Sequence, residues 1–231
     1  MVFKLEICFF RKYIFCMQQQ DLWAVLPLEI RKKLESHATT LEFKRGEFVY
    51  RQGDVPKGMY FVKSGLVGLV LVGAQSGKEH LMRFFKAGQF FGHRALFSEE
   101  PYHGDTVVME PTVIRFIEKK LILDILASNP LLLMDITRIL SKELRRCENH
   151  QLMILENQIL PRIAQSLIYL KDLYPDHNWT RQEIANFCAS TVSTVIKAMA
   201  ELENMGLIEQ SGRVFNILSR EKLLELQEVT I

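Results

Sequence analysis

The chain has 231 residues, 48% of them hydrophobic, and a formal net charge of +2 at pH 7. This length can bury a sizeable core and favours two domains over one. The longest apolar blocks, such as LLLMDITRIL (131–140), are interrupted by charged or polar residues, so no stretch reaches the roughly 20 apolar residues that a membrane-spanning helix needs. We therefore expect a soluble protein with no membrane partner.

The first sixteen residues, MVFKLEICFFRKYIFC, are apolar with a few interspersed basic residues. They lack the charged start, apolar middle and small-residue cleavage site of a secretory signal, so we expect no export. Two alternatives remain for residues 1–16. They form an ordered extra helix, or they extend the chain upstream of its natural start.

Four cysteines are spread widely along the chain: Cys8, Cys16, Cys147 and Cys188. No two of them form a CxxC pair, which argues against a zinc ribbon and against a disulfide scaffold. Such a pattern is typical of a protein in a reducing compartment, and we expect a cytoplasmic location.

Residues 17–39 show the spacing of an amphipathic helix. Trp23, Leu26, Ile30 and Leu34 follow one another at intervals of three and four residues. These intervals place them on one helix face. The spacing therefore predicts a helix before the first strand.

From Leu41 to Glu118 the chain consists of short runs rich in β-branched and aromatic residues: VYRQ, MYFVKS, LVGLVLV, HLMRFF and TVIRFIE. Turn glycines separate these runs at intervals of mostly 11 or 12 residues: Gly46, Gly53, Gly65, Gly77 and Gly88. The pattern predicts a sandwich or barrel of short antiparallel strands.

Beyond Lys119, helical periodicity continues to about Tyr174. Within it a heptad seam comprises Leu133, Thr137, Leu140, Leu144, Cys147, Gln151, Ile154 and Gln158. A second apolar face, which includes Leu132, Ile136 and Ile139, is expected to pack on the barrel. The seam either pairs with the same helix of a second subunit or packs inside one monomer. Its glutamines favour the dimer, since polar seam residues can set the register of a coiled coil.

Pro161 marks a break in this helical region, because proline removes a helix donor yet fits the first turn of a new helix. We therefore predict four regions: an N-terminal extension (1–16), a helix with the barrel (17–128), a dimerisation helix (129–158) and a C-terminal domain (159–231). The C-terminal part is not basic, since residues 162–231 contain seven Lys/Arg against nine Asp/Glu. Nucleic-acid binding there must depend on the local placement of charge.

The most specific signal is WTRQEIANFCASTVSTVIKAMAELENMGLIEQSGRVFNI (179–217). Thr180 and Glu183 form a capping box, which predicts a helix beginning at Arg181. The apolar residues that follow predict the inner faces of two short helices: Ile184, Ala185 and Cys188, then Val195, Met199 and Leu202. The second helix is expected to begin at about Thr191. With a tight turn at Ala189, this is the spacing of a helix-turn-helix.

The second helix places hydroxyl residues and one lysine outward: Thr191, Ser193, Thr194 and Lys197. Such side chains let a helix enter a major groove and can bond phosphates or base edges. GLIEQSGRVFNI (206–217) predicts a two-stranded wing with Arg213 at its tip, in position to bind a phosphate. The alternative is an ordinary helical hairpin with Ser and Thr on its surface.

From about residue 20 to 225 the chain resembles the Crp/Fnr family of bacterial transcription regulators. The resemblance rests on five segments: GEFVYRQGD (46–54), YFVKSGLVGLV (60–70), AGQFFG (87–92), RIAQSL (162–167) and TRQEIA (180–185). It implies an α+β fold with an N-terminal antiparallel β-roll (jelly-roll-like) of the cyclic-nucleotide-binding type, a long central dimerisation helix and a C-terminal winged helix-turn-helix. It also implies a sequence-specific DNA-binding regulator, not an enzyme, that acts as a homodimer on a pseudo-palindromic operator. Its expected partners are double-stranded DNA, a second copy of itself and RNA polymerase.

The resemblance carries DNA contacts onto matching residues only: Thr180, Arg181, Gln182, Thr191 and Thr194. The first three resemble a phosphate clamp at the start of the first motif helix. The last two match Ser/Thr positions on the recognition helix.

Other positions depart from the family pattern. Val192 and Ser193 stand where well-known members have a base-reading Arg or Glu, and Lys197 replaces a later Arg. We therefore expect an operator that differs from the family's best-known sequence. Ala189 stands where the family usually has a glycine, which adopts a left-handed turn at little cost.

The stretch FFGHRALFSEEPYHGD (90–105) falls on the family's phosphate-binding cassette. Nucleotide-binding members have Gly-Glu and Arg-Ser where this chain has Gly92-His93 and His103-Gly104, so the guanidinium that holds the cyclic phosphate is missing. On the long helix, Cys147-Glu148 replaces a Thr-Ser pair. We expect no control by cyclic AMP, no cofactor, and a repurposed or empty pocket formed by Gly92, His93, Arg94, His103, Gly104, Asp105, Cys147 and Glu148.

Four alternatives stay open for this stretch. If Arg94 turns inward, it restores anion binding. Separately, the roll could sense another effector such as an organic anion, haem or a different cyclic nucleotide. A metal site would combine His93 and His103 with other ligands, for which the candidates are Glu99, Glu100, Asp105 and Cys147, although histidines on strands and turns are more often plain polar surface residues. An enzyme would use the same histidines and glutamates. An iron–sulfur cluster is not expected, because the two N-terminal cysteines alone cannot hold one.

Overall fold

The structure of the chain is a computed structural model that describes Trp23 and residues 26–226. The extension 1–16, with its two cysteines, lies outside the described residues, as does most of 17–25. The first described helix, α1, spans Leu28–His37. Pro27, directly before it, is not helical, Ala38 after it is extended, and a strand begins at Thr39. The helix predicted over 17–39 is therefore wrong at Leu26, Pro27, Ala38 and Thr39. The proline ring disfavours helical backbone in the residue that precedes it.

The described part of the first unit continues with six strands and one short helix. They are β1 (Thr39–Phe43), β2 (Phe48–Tyr50), β3 (Gly58–Val72), β4 (Glu79–Lys86), β5 (Phe90–Phe91), α2 (His93–Ser98) and β6 (Asp105–Glu118). All pairings are antiparallel in the order β1-β6-β3-β4, with β2 on β6 and β5 on β3. The predicted antiparallel roll is confirmed.

Gly65 does not separate two strands, contrary to the prediction. β3 runs without interruption from Gly58 to Val72, and its pairing with β6 is irregular on both sides of Gly65. The φ of Gly65 is +93°, and a Cβ atom there would lie 2.4 Å from the carbonyl oxygen of Pro111. The glycine therefore permits an irregularity inside a long strand, a role that regular glycine spacing does not distinguish from a turn.

Two apolar clusters pack on opposite faces of the sheet, as the alternation of side chains along β3 requires. One cluster lies inside the roll and contains Tyr50, Tyr60, Phe91 and Tyr102. The other is covered by α1, α3 (Lys119–Ser128) and the first part of α4 (Pro130–Glu156). It contains Leu132, Ile136 and Ile139, which confirms that this face of the long helix packs on the roll.

A different face of α4 carries the predicted heptad seam. Leu133 is 46% exposed and Leu144 is 62% exposed, and Thr137, Cys147 and Gln151 are exposed as well. Packing of the seam inside one monomer is therefore wrong for these five positions. An apolar seam that remains accessible to solvent is typical of a surface that binds a partner.

The chain divides into two compact units within α4, between Lys142 and Glu143. The second unit contains the end of α4 and six further described elements. They are α5 (Ile159–Leu173), α6 (Arg181–Phe187), α7 (Val192–Asn204), β7 (Ile208–Ser211), β8 (Val214–Ile217) and α8 (Arg220–Glu225). Gln158, predicted as the last seam residue, caps α5 instead of belonging to α4. No helix in the described part of the chain is long and apolar enough to cross a membrane.

Candidate nucleic-acid interface and effector pocket

The first helix of the motif begins at Arg181 with a complete capping box. Thr180 Oγ1 accepts a hydrogen bond from the backbone N–H of Glu183 at 3.1 Å, and Glu183 Oε2 accepts one from the backbone N–H of Thr180 at 2.8 Å. His177 Nε2 lies 3.1 Å from the same carboxylate oxygen. Burial opposes ionisation of Glu183, but these hydrogen bonds outweigh it, so the pKa of Glu183 lies below its usual value. The predicted start of the helix is confirmed.

The turn between the two helices passes through Ala189. Its φ is +50°, the left-handed conformation that favours glycine. The backbone N–H of Ser190 donates to the carbonyl oxygen of Ala185 at 3.0 Å and closes the turn. The predicted tight turn is confirmed with an alanine in the strained position.

The recognition helix α7 begins with a cluster of hydroxyl groups. Thr191 caps it by accepting a hydrogen bond from the backbone N–H of Thr194 at 3.2 Å. The same hydroxyl lies 2.9 Å from Ser193 Oγ and 2.8 Å from Thr194 Oγ1. Lys197 is exposed one turn further along. The inner face is buried as predicted and contains Val195, Ala198, Met199 and Leu202.

Ile196 was not predicted as a functional residue. Its side chain is 52% exposed, on the same face as the exposed Ser193, Lys197 and Ala200. These residues repeat at intervals of three and four, and that spacing alone would have found Ile196 in the sequence. The outward face of α7 therefore combines one hydroxyl, one ammonium group and one branched apolar side chain.

The wing is a tight hairpin, as predicted. Ser211 pairs with Val214 across the two-residue turn Gly212–Arg213. Gly212 has a φ of +59°, which an Asn or Gly tolerates in such turns. Arg213 is exposed at the tip, where we predicted it.

Arg181 and Gln182 already have partners within the protein. Arg181 Nη2 donates to Gln210 Oε1 at 2.6 Å, and Arg181 Nη1 donates to the carbonyl oxygen of Arg213 at 3.1 Å. Gln182 is exposed and donates through Nε2 to Asn186 Oδ1 at 2.6 Å. The phosphate contacts of both residues stay predictions. The contact between Arg181 and the wing was not predicted, because it joins positions 32 residues apart.

The two histidines of the cassette lie in different environments. Gly92, with a φ of +85°, precedes α2, and His93 is 1% exposed with its ring edge-on to Phe90 at 4.6 Å. Treating both histidines as plain polar surface residues is therefore wrong for His93. His103 lies at the surface and is exposed. Partial desolvation of its ring, together with the nearby Arg94 and Arg83 guanidinium groups, lowers its pKa. His103 is thus neutral at pH 7 and supplies no cation.

The rest of the cassette is occupied by the protein's own groups. Asp105 accepts from the backbone N–H of Gln52 at 2.7 Å and from Arg51 Nη1 at 3.2 Å. A Cβ atom on Gly104 would lie 2.5 Å from Leu71 Cδ2 and 2.6 Å from the carbonyl oxygen of Val70. The backbone at this point lies too close to β3 for any side chain larger than hydrogen.

Inside the roll, aromatic rings fill the space behind the cassette. Tyr50 and Tyr102 stack at a centroid distance of 3.6 Å, and Tyr60 stacks on Phe91 at 5.1 Å. Burial raises the pKa of the Tyr50 hydroxyl. The Tyr50 phenol is therefore neutral, and the charges of Arg83 and Arg94 act on it from nearby.

The remaining predicted pocket residues are placed as follows. Arg94 is exposed, but its charge acts on the buried Tyr50 hydroxyl, so restored anion binding stays a prediction. Cys147 and Glu148 are exposed on α4, in the second unit. Within residues 26–226, no group of three or more His, Cys, Asp or Glu side chains is arranged to hold a metal ion. The metal alternative therefore has no geometric support among the described residues.

Each of the two units matches a known domain family. Residues 40–129 match the family described as cyclic nucleotide-binding domain, and residues 161–226 match the Crp-like helix-turn-helix domain. The chain belongs to the Crp/Fnr family. Its members are DNA-binding transcription regulators and not enzymes, so the enzyme alternative is wrong.

Three relatives of this Crp/Fnr chain illustrate the range of similarity. The CRP-like cAMP-activated global transcriptional regulator of Mycobacterium tuberculosis is 24% identical over 192 residues, which cover 79% of this chain and 85% of the relative. An uncharacterized protein of Haemophilus influenzae is 42% identical over 91 residues, 39% of this chain and 68% of the relative. The crystal structure of a CRP-family transcriptional regulator from Thermus thermophilus has 25% sequence identity and a TM-score of 0.69, covering 82% of this chain and 97% of that one.

Proposed function

We propose that this Crp/Fnr regulator binds a pseudo-palindromic operator as a homodimer and that cyclic AMP does not control it. The observation that carries the DNA-binding part is the outward face of α7. It projects Ser193, Ile196 and Lys197 at helical spacing, the arrangement by which a recognition helix contacts base edges in a major groove. Residues around this face supply contacts to the phosphate backbone of the DNA: Gln182, Thr191, Thr194 and Arg213. Thr180 contributes by capping α6.

Ile196 gives the proposed interface a specific chemistry. The 5-methyl group of thymine is the apolar feature of the major groove, and an aliphatic side chain that reaches it gains a hydrophobic contact. Ser193 and Lys197 flank the isoleucine and suit acceptor atoms on neighbouring bases. The operator half-site therefore contains at least one thymine read through its methyl group.

Selection of bound sequences from a random duplex library tests the DNA-binding function. We expect a two-fold-symmetric site whose half-sites lie about one helical turn, roughly 34 Å, apart. Lys197→Ala should weaken binding and relax the preference at one position of each half-site, whereas Arg213→Ala should weaken binding without changing the preference. Recovery of no symmetric site would overturn the proposal.

The exposed seam of α4 supports the homodimer. Leu133 and Leu144 are accessible in one chain, and a seam of this kind buries its apolar members when two copies pair. In a parallel pair, each seam residue faces its own copy. Cys147, an exposed seam residue, then lies opposite the Cys147 of the second subunit.

Cys147 thus provides a direct test of the dimer. With the two N-terminal cysteines replaced by serine, mild oxidation should give a disulfide-linked dimer. The matched variant with Cys147→Ser should give none, and Cys188 cannot substitute because it is buried. A chain that sediments as a monomer and forms no cross-link would contradict the homodimer.

The closed cassette supports independence from cyclic AMP. A nucleotide-binding cassette needs a guanidinium group for the phosphate and a carboxylate for the ribose, and here His103 is neutral while His93 is buried against Phe90. Loss of one buried charged contact of this kind costs roughly 2–5 kcal/mol of binding free energy. Titration calorimetry with cyclic AMP should show no binding at millimolar ligand. Saturable heat would contradict this part of the proposal.

A second candidate function is an organic-anion sensor. Its support is the pair Arg83 and Arg94, whose charges act on both Tyr50 and His103 and therefore lie near the cassette. A thermal-shift panel of organic anions tests it, with Arg83→Ala/Arg94→Ala as the matched control. A response in the parent that the double variant loses supports the sensor. For either function, RNA polymerase is the expected second partner and the cytoplasm the expected location.

A further inference from the structure

Arg181 connects three parts of the winged motif. It lies at the first position of α6, and its guanidinium donates to Gln210 Oε1 at 2.6 Å on β7 and to the carbonyl oxygen of Arg213 at 3.1 Å in the wing turn. A planar guanidinium reaches two acceptors at once because its N–H groups form a fixed fork. The side chain therefore joins the start of the helix-turn-helix to the tip of the wing.

The recognition helix fixes the other end of this contact. Glu203, in the last turn of α7, accepts from the backbone N–H of Gln210 at 2.7 Å through Oε1 and from Gln210 Nε2 at 3.0 Å through Oε2. Since Nε2 is held by the carboxylate, Oε1 of the same amide must face Arg181. The chain Glu203–Gln210–Arg181 thus runs from α7 through the wing to α6.

We propose that Arg181 is a positioning residue that fixes the wing against the two helices. This inference rests on the proposed DNA-binding function. The wing is a two-stranded hairpin, which is marginally stable alone and needs packing or hydrogen bonds to hold its direction. Phe215, which pairs with Gln210 in the hairpin, is buried in the core, while the Arg181 bonds hold the tip of the wing. Arg213 then reaches a phosphate from a fixed backbone.

Arg181→Lys separates the positioning role from a phosphate contact. A lysine keeps the charge that a phosphate contact needs, but its compact ammonium group cannot reproduce the fork that reaches Gln210 and the wing carbonyl. We expect Arg181→Lys, Arg181→Ala and Gln210→Ala to weaken binding of the selected operator about tenfold per subunit, the effect of losing a hydrogen bond to a charged group. Rescue of wild-type affinity by lysine would overturn the proposal.

The salt dependence of binding gives an independent readout. Each phosphate contact adds about 0.9 to the slope of log K against log salt, so loss of one contact in each subunit of a dimer lowers the slope by about 1.8. We expect that fall for Arg213→Ala and an unchanged slope for Gln210→Ala, which removes the positioning contact without removing a charge. Wild-type affinity in Gln210→Ala, with a loss of affinity only in Arg181→Ala, would assign Arg181 a phosphate contact alone and overturn the inference. Failure of the wild-type chain to select any operator would instead contradict the DNA-binding function.

Amide hydrogen exchange without DNA tests the wing directly. Amides of residues 208–217 should exchange faster in Arg181→Lys and Gln210→Ala than in the wild type. The matched control is Glu209→Gln, an exposed neighbour on the same strand that faces away from Arg181; its wing should exchange as in the wild type. Unchanged exchange in both test variants would overturn the proposal even if operator binding falls.

Discussion

Restoring the Arg-Ser pair of a nucleotide-binding cassette should fail to create a cyclic AMP site. The double variant His103→Arg/Gly104→Ser supplies both phosphate-binding side chains, but the serine has no room. A Cβ atom on residue 104 would lie 2.5 Å from Leu71 Cδ2 and 2.6 Å from the carbonyl oxygen of Val70, whereas carbon atoms in contact lie about 3.5–4.0 Å apart. Leu71 can rotate away, but the Val70 carbonyl belongs to the backbone of β3, so the cassette itself must move by about 1 Å.

Overpacking of this size costs about 1–3 kcal/mol of the free energy of unfolding. For a chain of this length, the midpoint of thermal unfolding should therefore fall by about 2–12 °C in Gly104→Ser and in the double variant. His103→Arg alone is the control, since residue 103 is exposed and its stability should change by less than about 0.5 kcal/mol. Calorimetry with cyclic AMP completes the assay. Wild-type stability of Gly104→Ser, together with tight nucleotide binding by the double variant, would refute the argument that the cassette is closed.

Three further predictions follow from single residues. Ala189→Gly should raise the free energy of unfolding in denaturant by about 0.5–1 kcal/mol. Glycine relieves the strain of a φ of +50°, and the greater entropy of the unfolded chain offsets part of the gain. A loss of stability would contradict the assigned strain. Glu183 has a lowered pKa in the folded state, so its stabilising contribution is present above its unfolded pKa of about 4.3 and is lost as the pH falls through the folded pKa; Glu183→Gln should flatten this acid limb of the stability curve. Ile196→Ser should abolish the penalty for replacing the recognised thymine by deoxyuridine, which in the wild type should be about fourfold per half-site, the value of one buried methyl group.

Local signals in the sequence predicted local structure well. The capping box at Thr180, the hydroxyl start of the recognition helix at Thr191 and the Ser-Gly turn of the wing each depend on residues within four positions of one another, and all three are present. The inner faces of both motif helices were also predictable, because burial follows the helical period. The antiparallel roll followed from strand-like runs without any knowledge of their order in the sheet.

The failures at Gly65, His93 and Arg181 involve packing and contacts that local sequence patterns do not encode, whereas the helix error at Leu26 and Pro27 has a local cause. Gly65 has the spacing of a turn glycine, and only its approach to Pro111 on β6 shows that it lies inside a strand. His93 has the composition of a surface histidine until Phe90 and the sheet bury it. Arg181 is joined to residues 29 and 32 positions away, a distance at which no periodicity operates. Long-range packing, not propensity, decides such positions.

If the cassette is closed as proposed, control of DNA binding must come from another part of the protein. A ligand shifts a conformational equilibrium only through different affinities for the two states, so a roll filled by Tyr50, Tyr102 and its own Asp105 ion pair offers cyclic AMP no such difference. In the proposed homodimer, the competent arrangement of the recognition helices would then be stabilised by the seam of α4 and by the operator itself. Because two chains form one binding unit in the proposed homodimer, occupancy of the operator would rise with the square of chain concentration while the monomer predominates. Abundance of the chain would therefore regulate a promoter more steeply than it would regulate binding by a monomer.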